Sequence, residues 1–451
     1  MNGPRMTPAR PVMGANYWRL FSSSTLANLG DGLMAVAVIW LASSLTRDPT
    51  TIALIGLASS LPWLVFSLPA GVLADRYDRR LLVGSMDVLR CLVIAGFAVL
   101  LWVNQEALPT PAELAAGGVA PAVATPLLWA LAGLVLLLGF AEVVRDNTAQ
   151  TLMPAVVDKP LLERANSRMW GAEMTMNQFI GPPLSGLLVA IAVAIPFGIN
   201  AGLLAICALL VFSLRGSFTS GTRADRRINW RQEIGEGLGW LWRHRLLRSL
   251  AISLGVMNMA SSLSGVIFIL YAQEVLGLFD GWKYGLLISG AAVGSVLATM
   301  FADRIAARFG GARALITSIV VMGATLVATG LVSQAALVWL AQVLSGMAVL
   351  VWNVITVSLR QRIIPDHLLG RVNSAFRFFG WGTISIGLLL GGLLVSALES
   401  GLGREWALRS AFLVAGAIYL VLLMFAAPRL TQSRITAAAE GAGAEQTSLV
   451  G

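Results

Sequence analysis

Long runs without a charged side chain constrain this chain more than any other feature. Residues 49–74, 114–141, 174–214 and 314–359 contain no Asp, Glu, Lys or Arg at all. Crossing the hydrocarbon of a bilayer takes about 20 mostly apolar residues, so the two longest runs each hold two crossings, folding back near Pro196 and Gln334. Further windows at 20–46, 81–105, 249–273, 284–302, 378–398 and 410–428 carry at most Asp31, or Asp87 and Arg90. The expected set is twelve spans, six on each side of a polar segment at 216–247. No ten-residue alternation of the kind that builds a membrane barrel is present. An open sheet edge cannot persist in lipid, so the spans are expected to be helices.

Composition closes off other classes. Hydrophobic residues make up 57% and charged residues 12%, against about 25% charged in a typical soluble domain. A soluble enzyme and a nucleic-acid binder are excluded on that ground. Cys91 and Cys207 lie inside apolar runs, and His244 and His367 are isolated. No metal site or disulfide framework is expected from them, and no cofactor. Residues 1–16 hold Pro4, Pro8 and Pro11 and no apolar run of signal-peptide length, so the first span is expected to be retained.

The net charge of +9 is placed by topology. With the N-terminus inside, Lys and Arg gather on the inner segments. Of the 32, only Arg47, Lys283, Arg404 and Arg409 fall on outer segments, and Arg90 sits within a span. The positive-inside rule then predicts that both termini are cytoplasmic. The expected units are an N-terminal arm (1–16), a six-helix bundle (17–215), a cytoplasmic linker (216–247), a second six-helix bundle (248–428) and a disordered tail (429–451). In the linker, Ile234, Leu238, Leu241 and Trp242 recur at helical spacing. This suits a helix lying on the inner membrane face or a plain helix joining the halves. The outer segment 105–125, with Pro109, Pro111 and Pro121, is expected to be irregular.

The halves repeat. Leu161-Leu162-Glu163-Arg164-Ala165-Asn166-Ser167 matches Leu368-Leu369-Gly370-Arg371-Val372-Asn373-Ser374, each opening the fifth span of its half. Ala74-Asp75-Arg76 matches Ala302-Asp303-Arg304, each closing a second span. Two matching bundles point to a transporter with its site between them. No filter-like re-entrant segment favours a channel. No Gly-x-x-x-x-Gly-Lys phosphate loop is present, so ATP is not expected to drive it.

Gly71-Val72-Leu73-Ala74-Asp75-Arg76-Tyr77-Asp78-Arg79-Arg80 resembles the loop signature of the major facilitator superfamily, with Asp78 standing where the pattern has glycine. Trp18-Arg19-Leu20-Phe21 with Leu29-Gly30-Asp31, then Glu142, Asp146, Asn147 and Pro154, then Glu236-Gly237-Leu238 and Trp242 to Arg248, resemble the branch holding enterobactin exporters, macrolide efflux proteins and lysophospholipid transporters. The resemblance implies an all-α membrane protein of the major facilitator fold, with twelve helices in two pseudo-symmetric bundles, in the inner (plasma) membrane. It implies gating roles for Gly71, Asp75, Arg76, Arg79 and Arg80. Gly181-Pro182-Pro183-Leu184-Ser185-Gly186 resembles the antiporter signature of the fifth span, which adds Gly181, Pro182 and Gly186 as a pivot or seal. By the same resemblance Asn28, Asp31, Met34, Met257, Asn258, Trp352 and Asn353 are cavity candidates.

Asp31 is the most informative single residue. It stands midway along the first span, alone among apolar sequence neighbours. A carboxylate at mid-membrane costs about 2.5–3.5 kcal/mol on insertion scales, and low dielectric favours its protonated form. Asp31 therefore reads as a proton and substrate site, with a hydrogen-bonded packing residue as the plain alternative. Glu142 and Glu173 are further proton-coupling candidates. The favoured reading of Glu142, Arg145, Asp146 and Arg168 is a salt-bridge network near water. Asp87 and Arg90, three apart, read as a helix-surface pair locking the loop, and Glu274 as solvated at an outer helix end. The expected function is proton-linked efflux of amphipathic small molecules by a monomer. A lipid flippase or facilitator is the alternative within transport, and a sensor or scaffold the alternative outside it.

Overall fold

The computed structural model describes residues 13–216, 218, 230–300 and 310–437. Helices α1 (Ala15–Leu45), α2 (Pro49–Arg76), α3 (Arg79–Asn104) and α4 (Ala124–Val156) run in succession. Helix α5 follows in three joined pieces: Leu162–Met174, a π-helical stretch Thr175–Ile180, and Gly181–Ile191. Helix α6 (Ala194–Phe212) completes the first bundle. A linker helix, Trp230–Arg243, leads to α7 (Arg245–Gly265, broken and resumed at Phe268–Glu274). Helices α8 (Gly281–Thr299), α9 (Gly311–Leu331), α10 (Ala335–Ile363), α11 (Asp366–Leu402) and α12 (Arg404–Ala426) form the second.

Ten helices among the described residues are long and apolar enough to cross a membrane. The fifth and eighth expected spans fall outside those ten for physical reasons. Helix α5 is cut by its π-helical stretch and carries Glu163, Arg164, Arg168 and Glu173 near its start. Helix α8 spends its first turn on Gly281-Trp282-Lys283-Tyr284, which lowers its mean hydropathy, whereas α6 of equal described length carries no charge. The architecture is all-helical, as the charge-free windows predict.

Local chemistry sets the starts. Asp48 caps α2, accepting from the backbone N–H of Thr50 at 3.2 Å and of Thr51 at 2.8 Å, with Pro49 at the first helical position where no donor is needed. The segment 105–125 is less irregular than expected. Thr110 and Glu113 form a reciprocal capping box on a short helix, Pro111–Ala115. Of the tail, 432–437 is helical. Leu430 and Ile435 are buried, and Gln432 Oε1 accepts from the Ala312 N–H at 3.2 Å, so the tail's first residues pack against the second bundle. The linker helix docks there too. Leu241 is buried, and Trp242 stacks on Phe379 of α11 at 6.1 Å.

Glycine lets helices approach closely where no hydrophobic force separates protein from lipid. A Cβ at Gly294 of α8 would run into the Val343 carbonyl of α10, and one at Gly346 into that of Ala291. The two halves meet along α2–α11, α5–α8 and the C-terminal parts of α1 and α7.

Candidate functional site

Asp31 is held by its neighbours in the chain. Gly30 packs on the Asn200 side chain of α6, and Gly32 lies against the backbone carbonyls of Met176 and Asn177 in the π-helical stretch of α5. This fixes the carboxylate in the first bundle, where Arg90 of α3 donates through Nη2 to Asp31 Oδ1. The Arg90 side chain is 2% exposed and that of Asp31 14%. The isolation inferred for Asp31 is thus corrected: a guanidinium from two helices away in sequence faces it.

The reading of Asp87 with Arg90 is corrected likewise. Asp87 is fully buried and accepts from Arg145 Nε of α4 at 2.7 Å. Arg145 also donates through Nη1 to Asp146 Oδ1 at 3.0 Å. Three-residue spacing does place Asp87 and Arg90 on one face of α3, but that face points inward, and each finds its counter-charge on another helix. Buried charges persist when paired. Two opposite charges in one span and one acid in another call for a further base, and Arg145 is the one available at the end of a charge-free run.

Glu142 is half-buried on α4, within electrostatic reach of Asp31 and Arg90. Glu173 is exposed on α5 and is reached by the fields of Asp146 and Asp31. Arg168 does not join this network. Its guanidinium lies over the Trp18 ring at 5.7 Å and donates to Met13 Sδ at 3.6 Å.

The loop after α2 closes onto neighbouring helices. Asp78, where the family pattern has glycine, caps α3 by accepting from the N–H of Arg80 at 2.9 Å and of Leu81 at 3.2 Å. Arg79 donates to the Thr151 carbonyl of α4 at 3.1 Å, and Arg80 to the Leu214 carbonyl beyond α6 at 3.0 Å. Arg76 is exposed. The side-chain positions of Gly71 and Asp75, and the matching Asp303 and Arg304, lie outside the described residues. In α5, Pro182 and Pro183 remove two backbone donors just after the π-helical stretch. Gly181 abuts Gly32 of α1, and Gly186 abuts Gly281 and Gly285 of α8. Ser185, the departure from the antiporter pattern, donates to the Leu33 carbonyl at 2.7 Å.

Of the cavity candidates, Met34, Met257 and Trp352 are buried in the apolar core. Asn28 donates to the Ser24 carbonyl at 2.9 Å and Asn258 to the Gly380 carbonyl at 3.2 Å. Asn353 is exposed.

Sequence reasoning missed a seal between the halves at the end away from the arginine-rich loops. Glu274 of α7 is clasped by Arg47, through Nε at 2.9 Å, and by Arg404, through Nε at 2.7 Å. Arg404 also donates to the Arg47 carbonyl at 2.6 Å and to Glu399 at 2.9 Å. Glu274 is therefore bridged rather than solvated. Thr50 pairs with Ser396 at 2.8 Å and Ser60 with Ser385 at 3.0 Å. The seam includes Trp63 of α2 stacked on Trp381 of α11, centroids 5.1 Å apart. The few basic residues expected outside were the available signal, since Arg47 and Arg404, two of the four, each lie beside a helix end.

The family described as transmembrane secretion effector matches residues 6–441. The multidrug efflux pump Tap of Mycolicibacterium fortuitum is 25% identical over 386 residues, 84% of this chain and 88% of that protein. The Tap pump of Mycobacterium tuberculosis (strain ATCC 25618 / H37Rv) is 26% identical over 402 residues, 85% of this chain and 88% of its own. Among solved structures, the nucleoside transporter NupG superposes with a TM-score of 0.67 at 14% identity, covering 92% of this chain and 99% of its own. A bacterial homologue of the iron transporter ferroportin, in an inward-facing state, gives 0.66 at 18%, covering 90% and 98%. These two share the fold.

Proposed function

This chain belongs to the transmembrane secretion effector family of major facilitator transporters, and on that premise we propose that it exports amphipathic small molecules in exchange for protons. The single observation that carries this reading is the Asp31–Arg90 pair, a partly accessible carboxylate facing a buried guanidinium inside the first bundle. The relatedness to multidrug efflux pumps supports the direction of transport. We place the protein in the plasma membrane with both termini cytoplasmic, from its arginine distribution. In that orientation the sealed end is the outer one, and the conformation is inward-facing.

The chemistry follows from charge balance. With Asp31 ionised, Arg90 is neutralised and the pair is closed. A proton on the Asp31 carboxylate removes its charge, and Arg90 is left to the fields of Glu142 and Asp87. That change in pairing sits one residue from Gly32, the contact with α5, so protonation bears on the helix that seals against α8. Substrate and proton then compete for the same acidic wall, which is the condition for exchange.

The test is efflux from cells expressing the protein, with and without an uncoupler, using wild type and Asp31→Asn. Exchange predicts that the uncoupler stops wild-type efflux and that Asp31→Asn abolishes it. Efflux that continues after collapse of the proton gradient, unchanged in Asp31→Asn, points to facilitation instead. No flux in reconstituted vesicles removes transport itself.

A further inference from the structure

We propose that Trp63 and Trp381 form a stacking platform that selects substrates carrying a flat aromatic ring. The inference rests on the export reading and names a substrate class for it. The two indoles lie nearly parallel, 12° between planes, with centroids 5.1 Å apart, and one comes from each half. Both are half-buried, so part of their surface is reachable.

The reachable part faces inward. On α2 the lipid-facing stripe is Leu54, Leu61 and Val65, all strongly exposed. At 3.6 residues per turn, Trp63 lies on the opposite side of the helix, between the rows that meet α4 and α11. Pro62 packs on Gly139 and Phe66 on Phe140 in the first row; Ser60 meets Ser385 in the second. On α11 the exposed stripe is Ile386, Leu390 and Leu393, and Trp381 again lies across from it. The pair thus sits in the molecular interior, at a cross-half contact of the α2–α11 seam.

No ring other than Trp63 contacts Trp381 among the described residues. Its second face can receive a third ring and extend the stack, in the offset geometry aromatic pairs prefer. Asp31, Glu142, Asp146 and Glu173 on the first bundle add acidic character to the same interior, which suits a planar ring bearing positive charge. Because the platform spans both halves, a ring on Trp381 also reports whether the seam is closed.

Binding to the purified full chain in detergent tests this, with ethidium as the planar aromatic cation and tetrabutylammonium as a cation without a ring. Trp381→Ala is expected to weaken ethidium binding about threefold to tenfold, the worth of a lost aromatic contact. Trp63→Ala should weaken it less, and Trp381→Phe should restore most of the affinity. Tetrabutylammonium binding should stay unchanged in all three. Equal losses for both cations, or no loss for ethidium, overturn the platform. If wild type binds tetrabutylammonium but not ethidium, the platform fails while the export reading stands; binding of neither sinks the platform and counts against cationic cargo as well.

Discussion

At the residue scale the charged groups of the first bundle behave as a set. Arg90 is buried and, among the described residues, donates only to Asp31, while its Nε and Nη1 find no hydrogen-bond partner there. Removing one member of such a pair leaves the other uncompensated, at a cost of about 3–5 kcal/mol. Arg90→Gln should therefore lower thermal stability in detergent sharply, and Arg90→Gln with Asp31→Asn should recover part of the loss. A double-mutant cycle measures the coupling; additive effects would mean that the two side chains do not act as a pair. The sequence displayed the members of this set but not the pairing. Asp31, Asp87, Arg90 and Arg145 stand out as charges in apolar runs, yet which acid meets which base depends on how α1, α3 and α4 face one another. Local spacing suggested Asp87 with Arg90, and tertiary geometry separated them.

At the element scale, helix positions were legible because the lipid demands them, whereas breaks and caps came from finer chemistry. The π-helical stretch in α5 follows from Pro182 and Pro183, which the sequence shows, but its contact with Gly32 does not appear until α1 and α5 are packed. Close helix contacts give a direct check. Gly294→Val in α8 has no room against the Val343 carbonyl, so it should force α8 and α10 apart. The expected result is a large loss of folded protein on size exclusion, while Gly265→Val, where a Cβ meets nothing, should be tolerated. The start of α7 is expected to respond to pH. His244 Nδ1 accepts from the Leu247 N–H at 3.3 Å, and burial holds the imidazole below its usual pKa of 6.5. A depressed histidine stabilises the fold above the unfolded-state pKa, and that contribution is lost as pH falls below it. Protonation also removes the acceptor, so the cap, about 0.5–2 kcal/mol, weakens in acid. Protection of the Leu247 amide, measured relative to its intrinsic exchange rate, should fall as pH drops below about 6.5, and His244→Asn, which caps without titrating there, should flatten that dependence.

At the scale of the whole molecule, the two halves are joined at one end by a bridge that neither half can make alone. Glu274 accepts from Arg47 of the first half and from Arg404 of the second, and Arg404 reaches back to the Arg47 carbonyl. Gln273 adds a contact to Ser43 at 3.0 Å and accepts from Arg47 at 2.6 Å. Hydrogen bonds to charged groups contribute about 1.5–3 kcal/mol each, so losing the Arg47–Glu274 contact should shift the balance between open and closed ends by roughly tenfold or more. Spin labels at Thr46 and Leu402, in a Cys91→Ala background, measure that end directly, because Cys207 is buried and will not label. Wild type should give one short distance. Glu274→Gln should add a longer population, and Arg47→Glu, which sets two acids against each other, should make it dominant. If both variants keep the wild-type distance, the apolar seam along α2 and α11 holds that end shut without the ions. Cross-half closure would then be set by shape, through contacts such as Gly392 on Ala53, and the ion triad would serve only to orient the ends of α1, α7 and α12.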